Sequence, residues 1–472
     1  MSAAPDHSSL GDALAHLQAT HRSNGPLSYK ERKKALRSLS KVIRKRREDI
    51  ISAIDEDFGG RSRHETLSAE IYNSVQSIRH TLSNLRDWME PEERPVPWVF
   101  KPSKARVLYQ PLGVVGIISP WNYPLYLAIA PISAALSAGN RVMLKPSETT
   151  PKTSALLAEL IPAALGADVA AVITGDYQVG TAFSRLPFDH LLFTGSTGVG
   201  RKIMAAAAEN LTPLTLELGG KSPVILHEGY PVKRAAPRIV FGKLLNAGQT
   251  CLAPDYVLCP RDKIPALVAA ITAEVKKRYP TLKDNPDYTA VVSEQHHKRL
   301  AGYLADAVEK GAEIVEINPA DEDLSAGRRM APTLVLNPTA EMRVMQEEIF
   351  GPLLPIVPTD STDAAVEYVN DQPRPLALYY FDTSGRRARK MMERTISGGV
   401  TINDTLMHVA IEDLPFGGVG ASGMGAYHGF EGFETFSHKK SVLSQSRLTL
   451  TPYLIRPPYG RLMSVLMKLL IR

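Results

Sequence analysis

Short apolar segments with strand character alternate with helical segments between about residues 105 and 209. The strand-like runs are ARVLYQ, GVVGIIS, RVMLK, VAAVIT and HLLFTG, and the helix-like runs between and after them are LYLAIAPISAALSA, TSALLAELIPAAL and VGRKIMAAAAE. Strands that alternate with helices at this spacing are typical of parallel sheets, because each crossover returns the chain to the same edge of the sheet. The pattern therefore predicts an α/β fold with a doubly wound parallel sheet.

The segments on either side extend this pattern. The 472 residues are enough for two to four domains at roughly 100–200 residues per domain. Apolar spacing predicts N-terminal helices over 28–58 and 65–89, followed by a proline-rich connector over 91–104. A second α/β run is predicted over 220–400, with helices at 262–279, 294–310 and 384–394 and strands at 331–337 and 375–381.

Positive charge is concentrated in two segments of a chain whose net charge is +6. The basic residues between 30 and 49 fill one face of a predicted helix, which indicates a solvated surface. No groove-reading motif accompanies them, so no nucleic-acid partner is expected. Residues 435–472 contain no acid. Within them, apolar residues recur at helical spacing beside basic ones (Leu462, Val465, Leu466, Leu469 and Leu470 beside Arg461, Lys468 and Arg472). Such a tail could lie on an anionic membrane surface, although docking on a partner subunit is the favoured interpretation.

The number of cysteines and the N-terminal sequence indicate the cellular compartment in which to expect the protein. Cys251 and Cys259 are the two cysteines, which excludes a disulfide framework and a zinc ribbon, and no metal site is expected. The start MSAAPDHSSLGD lacks the basic and apolar regions of a secretory signal, so we expect a cytoplasmic protein. The uncharged stretch 107–140 is interrupted by prolines and glycines, which favours a buried strand–turn–helix over a membrane span.

Two glycine-rich segments are candidates for phosphate binding. Gly418, Gly420 and Gly423 fit G-x-G-x-x-G, but no βαβ unit and no acid follow, so a turn with positive φ is favoured there. Residues 193–200, FTGSTGVG, instead follow a predicted strand and open a predicted helix. Free N–H groups and the helix dipole suit a phosphate; an ordinary N-cap by Ser196 or Thr197 explains the same pattern.

Three short motifs offer groups for chemistry. Cys251 in NAGQTCLAPD is either a nucleophile at a bend or a small buried hydrophobic residue. Glu217 in LELGGKSP is either a general base at a strand end or a solvated charge. Asn122 in PWNYP lies between two prolines, which suits a fixed hydrogen-bond donor.

Together and in this order, these motifs resemble the aldehyde dehydrogenase superfamily. PWNYP, MLKPSE (143–148), FTGSTGVG, LELGGKSP, NAGQTCLAPD, EEIFGP (347–352) and PFGGVGASGMG carry the resemblance, which covers about 105–440 strongly. The ending GGVGASGMGAYHG is similar to the class 3 branch, and finer stretches such as EDFGGRSRHETL resemble the coniferyl aldehyde dehydrogenases of bacteria. The resemblance implies oxidation of a hydrophobic aldehyde, aromatic (coniferyl-like) or long-chain, to its carboxylic acid. A non-catalytic protein on the same scaffold is the remaining alternative.

The resemblance also implies roles for individual residues. It makes Cys251 the nucleophile, Asn122 an oxyanion donor and Glu217 the base that activates water. It also implies a binding site for NAD, with NADP possible, formed by a second set of residues: Lys145, Glu148, Gly195, Ser196, Thr197, Gly198, Val199, Gly200, Leu218, Glu348 and Phe350. Tyr123 and the region from Asn403 to His408 would line the substrate tunnel, although His408 could equally be a structural histidine.

Finally, the resemblance implies a division into domains and a homodimer. Residues 1–104 would form N-terminal helices of the cofactor domain and a connector. Residues 105–217 would form the dinucleotide-binding domain, with 105–111 in a bridging sheet, and 218–405 the catalytic domain. Residues 406–446 would return to the cofactor domain and add bridging strands for oligomerisation, and 447–472 would form a tail.

Overall fold

The computed structural model describes residues 7–449 and 456–471, so residues 450–455 and Arg472 of the predicted tail lie outside the described residues. The helices are α1 His7–Asn24, α2 Tyr29–Lys45, α3 Arg47–Phe58, α4 Arg63–Glu65, α5 Asn73–Trp88, α6 Tyr126–Ala138, α7 Pro151–Leu165, α8 Tyr177–Ser184, α9 Thr197–Ala208, α10 Val232–Leu244, α11 Ile264–Arg278, α12 Glu294–Glu309, α13 Arg343–Gln346, α14 Thr362–Asn370, α15 Gly385–Arg394, α16 Gly429–Thr435 and α17 Arg461–Leu470. A π-helical segment, Thr66–Tyr72, joins α4 to α5.

The strands are β1 Glu92–Arg94, β2 Lys104–Pro111, β3 Val114–Ile118, β4 Arg141–Lys145, β5 Ala170–Val172, β6 His190–Gly195, β7 Leu214–Leu218, β8 Pro223–Leu226, β9 Tyr256–Pro260, β10 Glu313–Glu316, β11 Thr333–Leu336, β12 Leu353–Thr359, β13 Ala377–Phe381, β14 Gly399–Ile402, β15 Gly423–Met424 and β16 Ser437–Ser444. They form three sheets. This mixture of largely parallel sheets and helices confirms the predicted α/β class.

The first sheet has the order β15-β7-β6-β3-β4-β5, and its strands are parallel except for β15. Every residue of β3 and β4 is buried, as expected for central strands of a parallel sheet covered on both faces. Helix α6 is buried along its whole length as well. The uncharged stretch 107–140 is thus a strand–turn–helix core, and no described helix is long and apolar enough to cross a membrane.

The second sheet has seven strands in the order β10-β11-β12-β9-β8-β13-β14, with β10 alone antiparallel. The third is a small antiparallel sheet in the order β1-β2-β16. It pairs the strand predicted at 105–111 with β16, which comes more than 300 residues later. The division into functional domains along these sheets stays a prediction.

Several predicted elements differ in detail from the structure. The helix predicted over 28–58 is two helices, because the backbone of Arg46 leaves helical geometry at φ −99° and ψ 23°. Helix α1 was not predicted, although its buried residues Leu10, Leu14 and Leu17 recur at helical spacing. The connector over 91–104 contains β1 and a short 3-10 turn. The glycine-rich segment 415–429 is loop apart from β15, and Gly420 and Gly423 have positive φ, as expected for turns.

Candidate active site

The loops that follow β3, β6 and β7 lie at one edge of the first sheet. In a parallel sheet the carboxyl ends of neighbouring strands meet at the same edge, where ligands commonly bind. The loop after β3 carries Asn122, β6 ends at Gly195 and passes through Ser196 into α9, and Glu217 is the penultimate residue of β7. Register places Thr194 of β6 directly opposite Glu217.

Cys251 reaches this edge from the second sheet, on the segment that joins α10 to β9. It lies in a cavity of about 460 Å³ together with Asn122 and Glu217. The residues that line this cavity are Pro120, Trp121, Asn122, Leu127, Thr194, Gly195, Ser196, Thr197, Glu217, Leu218, Gly219, Cys251, His296, Arg299, Tyr303, Glu347, Glu348 and Phe350. The structure therefore brings the three predicted catalytic residues together.

Glu217 has a buried carboxyl group for which no hydrogen bond from the described part of the chain replaces the lost hydration. Its side chain is almost fully enclosed, and neither carboxyl oxygen has a hydrogen-bond partner among the described residues. Burial raises the pKa of this carboxyl well above its ordinary value, because the charged form loses hydration. A carboxyl of this kind is suited to accepting a proton, and perturbed groups in clefts are typical of functional sites.

The surroundings of Cys251 raise the pKa of its thiol. Burial raises its pKa, and the nearby Glu348 and Glu217 carboxyls raise it further. Backbone hydrogen bonds at Cys251 and Leu252 act in the opposite direction. Since the thiolate is the nucleophilic form, the reaction requires an additional favourable charge or donor at this point. The other cysteine, Cys259, is a fully buried core residue of β9.

Asn122 is fixed by hydrogen bonds on both its side chain and its backbone. Its Nδ2 donates to the carbonyl oxygen of Gln249 (3.1 Å). Its own carbonyl oxygen accepts from Arg61 Nη1 (2.8 Å) and from Asn246 Nδ2 (3.0 Å). An amide nitrogen carries two N–H donors, so one N–H of Asn122, a residue that lines the cavity, is left over from this hydrogen bond.

A second cavity of about 900 Å³ adjoins the first and shares Pro120, Trp121, Thr194, Gly195, Ser196 and His296 with it. Lys145 and Glu148 lie in its wall. Lys145 Nζ is buried and donates to Glu148 Oε2 (2.6 Å), while 46% of the Glu148 side chain remains exposed. A carboxylate held in this way can accept hydrogen bonds from the hydroxyls of a ribose.

The start of α9 lies between the two cavities. Ser196 caps the helix by accepting from the N–H of Val199 (3.4 Å), and Thr197 Oγ1 donates to the carbonyl of Ala421 (3.1 Å). The cap predicted from sequence is therefore present, and the same residues also face the cavities. A Cβ on Gly200 would clash with the Leu218 side chain at 2.7 Å, which explains the close packing of α9 on β7.

Glu348 and Phe350 close the first cavity from the second sheet's side. Burial and the nearby Asp255 raise the pKa of Glu348 to about 8. Phe350 makes an edge-on contact with Trp121 (5.3 Å between ring centroids). It adopts φ 50°, a conformation that costs of order 1–3 kcal/mol and tends to occur at functional sites.

The three residues predicted to line a substrate tunnel do not line either of these two cavities. Tyr123 is buried, and its hydroxyl is hydrogen-bonded to Thr250 Oγ1 (2.8 Å), one residue before Cys251. Asn403 binds the backbone of Asp382 through both side-chain atoms. His408 Nδ1 is hydrogen-bonded to Thr401 Oγ1 (2.8 Å). The roles of these residues in binding substrate stay predictions.

The structure adds site residues that sequence reasoning missed. His296 and Arg299 of α12 face the first cavity, and the ring of His296 packs edge-on against Trp121 (4.9 Å). Arg299 Nη2 donates to the carbonyl of Ile349 (2.8 Å), which steadies the segment that carries Glu348. Both residues lie on an ordinary amphipathic helix whose pattern contains no signal for them.

The two adjoining cavities fit an extended dinucleotide. The Lys145–Glu148 pair offers a ribose contact at one end, the N–H groups at the start of α9 offer a phosphate contact in the middle, and Cys251 lies at the other end. Gly198 leaves open space beside the helix start, since nothing lies within 4 Å of a Cβ built there.

Sequence comparison relates this chain to proteins that oxidise aldehydes. The sequence model described as the aldehyde dehydrogenase family matches residues 4–442. A protein of Caulobacter vibrioides named "Probable coniferyl aldehyde dehydrogenase" is 50% identical over 457 residues, 96% of this chain and 94% of that protein. The coniferyl aldehyde dehydrogenase of a Pseudomonas species is 48% identical over 464 residues, 98% and 96% of the two chains. Aldehyde dehydrogenase family 3 member A2 of Pongo abelii is 41% identical over 424 residues, 89% and 85%.

Solved structures show the same similarity. The substrate-bound state of Staphylococcus aureus AldH superposes with a TM-score of 0.92 at 37% identity, covering 98% of this chain and 99% of that one. A Mycobacterium tuberculosis aldehyde dehydrogenase complexed with NAD⁺ superposes with a TM-score of 0.83 at 32% identity, covering 92% and 90%.

Proposed function

The chain belongs to the aldehyde dehydrogenase family, and on this premise we propose that it oxidises coniferyl-type aromatic aldehydes to their carboxylic acids with NAD as the preferred cofactor. The general activity, NAD(P)-dependent oxidation of an aldehyde, follows from the family and confirms the prediction. The aromatic substrate is supported by relatives named for coniferyl aldehyde at about 50% identity.

One observation carries the proposed mechanism: Cys251, Glu217 and Asn122 share a single cavity, and that cavity adjoins a second one suited to a dinucleotide. Cys251 Sγ loses its proton to solvent and, as a thiolate, attacks the aldehyde carbon to form a thiohemiacetal. The oxygen of that adduct becomes an oxyanion in the transition state, and the free N–H of Asn122 Nδ2 and the backbone N–H of Cys251 donate to it. Such donors typically contribute about 10²–10³ in rate each.

The remaining steps turn the thiohemiacetal into a free acid. Bound NAD(P)⁺ supplies the hydride acceptor. Loss of hydride leaves a thioester on Cys251, which water must hydrolyse. Glu217 takes a proton from that water, since its raised pKa makes the carboxylate a stronger base than an exposed one. The water oxygen bonds to the acyl carbon, the carbon–sulfur bond breaks, and Cys251 leaves as a thiolate while the acid is released. Glu348 and Phe350 line the cavity beside Cys251 and would hold the reactive part of the cofactor there.

The preference for NAD follows from Glu148. Its half-exposed carboxylate, held by Lys145, accepts ribose hydroxyls but repels a 2′-phosphate. We expect Glu148→Gln to raise the ratio of kcat/KM with NADP to kcat/KM with NAD by about tenfold, the size of a like-charge penalty at a partly exposed site. Steady-state kinetics with both cofactors measure this ratio. Glu159→Gln, a change at an exposed carboxylate on α7, is the matched control, and an unchanged ratio in Glu148→Gln would count against the assignment.

The substrate proposal is tested by a panel of aldehydes. We expect kcat/KM for coniferyl aldehyde to exceed that for a saturated long-chain aldehyde by at least about tenfold, the range that differences in apolar contacts produce. Cinnamaldehydes and benzaldehydes with and without the 4-hydroxyl group separate the contributions to kcat/KM of the aromatic ring and of the substrate's propenal chain. A long-chain aldehyde as the best substrate would favour the alternative, a fatty aldehyde dehydrogenase.

We also propose that the protein is a homodimer. Strand β16 is an edge strand of the small sheet, and its outer edge has no partner strand among the described residues. An unpaired edge of eight residues is a surface on which another strand can pair.

A further inference from the structure

A buried ion pair lies behind the loop that carries Asn122. Arg61 follows α3, and Glu70 lies in the π-helical segment between α4 and α5. Both side chains are 0% exposed, and Arg61 Nη1 lies 3.8 Å from Glu70 Oε1. Because removing two charges from water is costly, such a pair contributes little net stability. The contacts that the pair makes with its neighbours are therefore more informative than its contribution to stability.

Both members of the pair bind the backbone of the same loop. Arg61 Nη1 donates to the carbonyl oxygen of Asn122 (2.8 Å). Glu70 Oε2 accepts from the N–H groups of Leu125 (3.0 Å) and Tyr126 (2.7 Å). Hydrogen bonds with one charged partner are roughly twice as strong as neutral ones. The ion pair therefore holds the loop on both sides of its turn.

The opposite side of the loop is joined to the segment before Cys251. Asn246 Nδ2 donates to the carbonyl oxygens of Asn122 and Gln249, both at 3.0 Å. The Asn122 side chain donates to the same Gln249 carbonyl, and the Tyr123 and Thr250 hydroxyls are hydrogen-bonded. Asn122 and the approach to Cys251 thus form one hydrogen-bonded unit.

The helical segment that carries Glu70 also supports the approach to Cys251. Glu65, at the end of α4, accepts from the N–H of Asn246 (3.0 Å). Asn246 and the following Ala247 have φ of 53° and 51°. Left-handed backbone at residues with a side chain persists only where the surroundings determine it. The same short stretch of chain therefore constrains both the oxyanion donor and the nucleophile.

We propose that Arg61 and Glu70 are positioning residues for the reaction at Cys251, holding the Asn122 amide where the oxyanion forms. This inference rests on the proposed function, because it requires Asn122 to donate to that oxyanion. A displacement of about 1 Å in a reacting or stabilising group can cost about 10²-fold in rate. The Phe58 and Tyr123 rings enclose the Arg61 guanidinium at 4.6 and 5.0 Å, so a methionine fills the space while removing the donors.

A double-mutant cycle tests the proposal in the full-length protein. Single-turnover NADH formation is measured for Arg61→Met, Asn122→Ala and the double variant at saturating coniferyl aldehyde and NAD. We expect a loss of about 10²-fold for Arg61→Met and about 10²–10³-fold for Asn122→Ala. Because Arg61 acts through the Asn122 amide, which the alanine variant lacks, the double variant should be at most about threefold slower than Asn122→Ala alone. Arg61→Lys, which keeps a charged donor, should recover at least about tenfold of the loss.

The controls separate positioning from general destabilisation. Arg63→Met removes an exposed arginine that pairs with Glu48 and should react at the wild-type rate. NAD affinity and the thermal midpoint identify variants that have lost their fold; if Arg61→Met is one of them, Glu70→Gln completes the cycle. Losses that multiply in the double variant would overturn the inference and leave the proposed function standing. A wild-type rate in Asn122→Ala would overturn the oxyanion role itself, and the inference with it.

Discussion

Replacing Cys251 with Ala should abolish NADH production from coniferyl aldehyde, with a loss of at least about 10⁴-fold in kcat/KM. Cys251 carries the one thiol among the described side chains that line the cavity with Glu217 and Asn122, and without it no thioester can form. Removing the nucleophile of a covalent mechanism typically leaves only the residual effect of binding and oxyanion donors. Steady-state assays with both cofactors measure the loss.

Cys259→Ala is the matched control for this experiment. Cys259 is the other free cysteine, fully buried in β9, with its Sγ directed at the carbonyl of Pro260 (3.5 Å). Its replacement should leave kcat/KM unchanged and lower the thermal midpoint slightly, since a buried group is removed. Turnover that persists in Cys251→Ala, with NAD affinity intact, would exclude the thiolate mechanism.

Replacing Glu217 with Gln should separate the two halves of the reaction. Acylation does not use the carboxylate as a base, so a first turnover should still produce about one NADH per active site. Hydrolysis of the thioester loses its general base, and steady-state turnover should fall by about 10²–10⁴-fold. Rapid-mixing absorbance at the NADH band resolves the burst from the steady rate.

Glu348 is a second carboxyl in the same cavity with a raised pKa. Its oxygens lie against Gly219, whereas the Glu217 carboxyl has no hydrogen-bond partner among the described residues. Glu313→Gln, at an exposed position on the edge strand β10, is a suitable control. An unchanged steady-state rate in Glu217→Gln would assign the base role to another group.

Local pattern was sufficient to predict most of the first sheet and the residues that meet at its edge. Fully buried strands such as β3 and β4 appear in sequence as continuous apolar runs, and short motifs at their ends carry Asn122 and Glu217. The approach of Cys251 from the second sheet could not be derived from pattern. The association of Cys251 with Glu217 and Asn122 was implied by the family resemblance, and the three residues share one cavity.

The supporting residues were beyond the reach of sequence reasoning. Arg61 and Glu70 are hydrogen-bonded to backbone atoms 61 and 55 positions away. Every residue has a backbone, so the amino-acid type of the partner gives no indication of such hydrogen bonds. The break at Arg46 was missed for a similar reason: neither Gly nor Pro marks it, and the apolar spacing continues across it. Tyr123, Asn403 and His408 were expected around the substrate, but the hydrogen bonds of all three are internal.

The most direct test of the account is to look for the acyl-enzyme itself. Glu217→Gln is mixed with coniferyl aldehyde and NAD, quenched in acid within the burst, digested and examined by mass spectrometry. The account predicts a feruloyl adduct on the peptide that contains Cys251, at close to one per chain, and none on the peptide that contains Cys259. NADH formed in the burst without an adduct on Cys251, or with the adduct elsewhere, would contradict it.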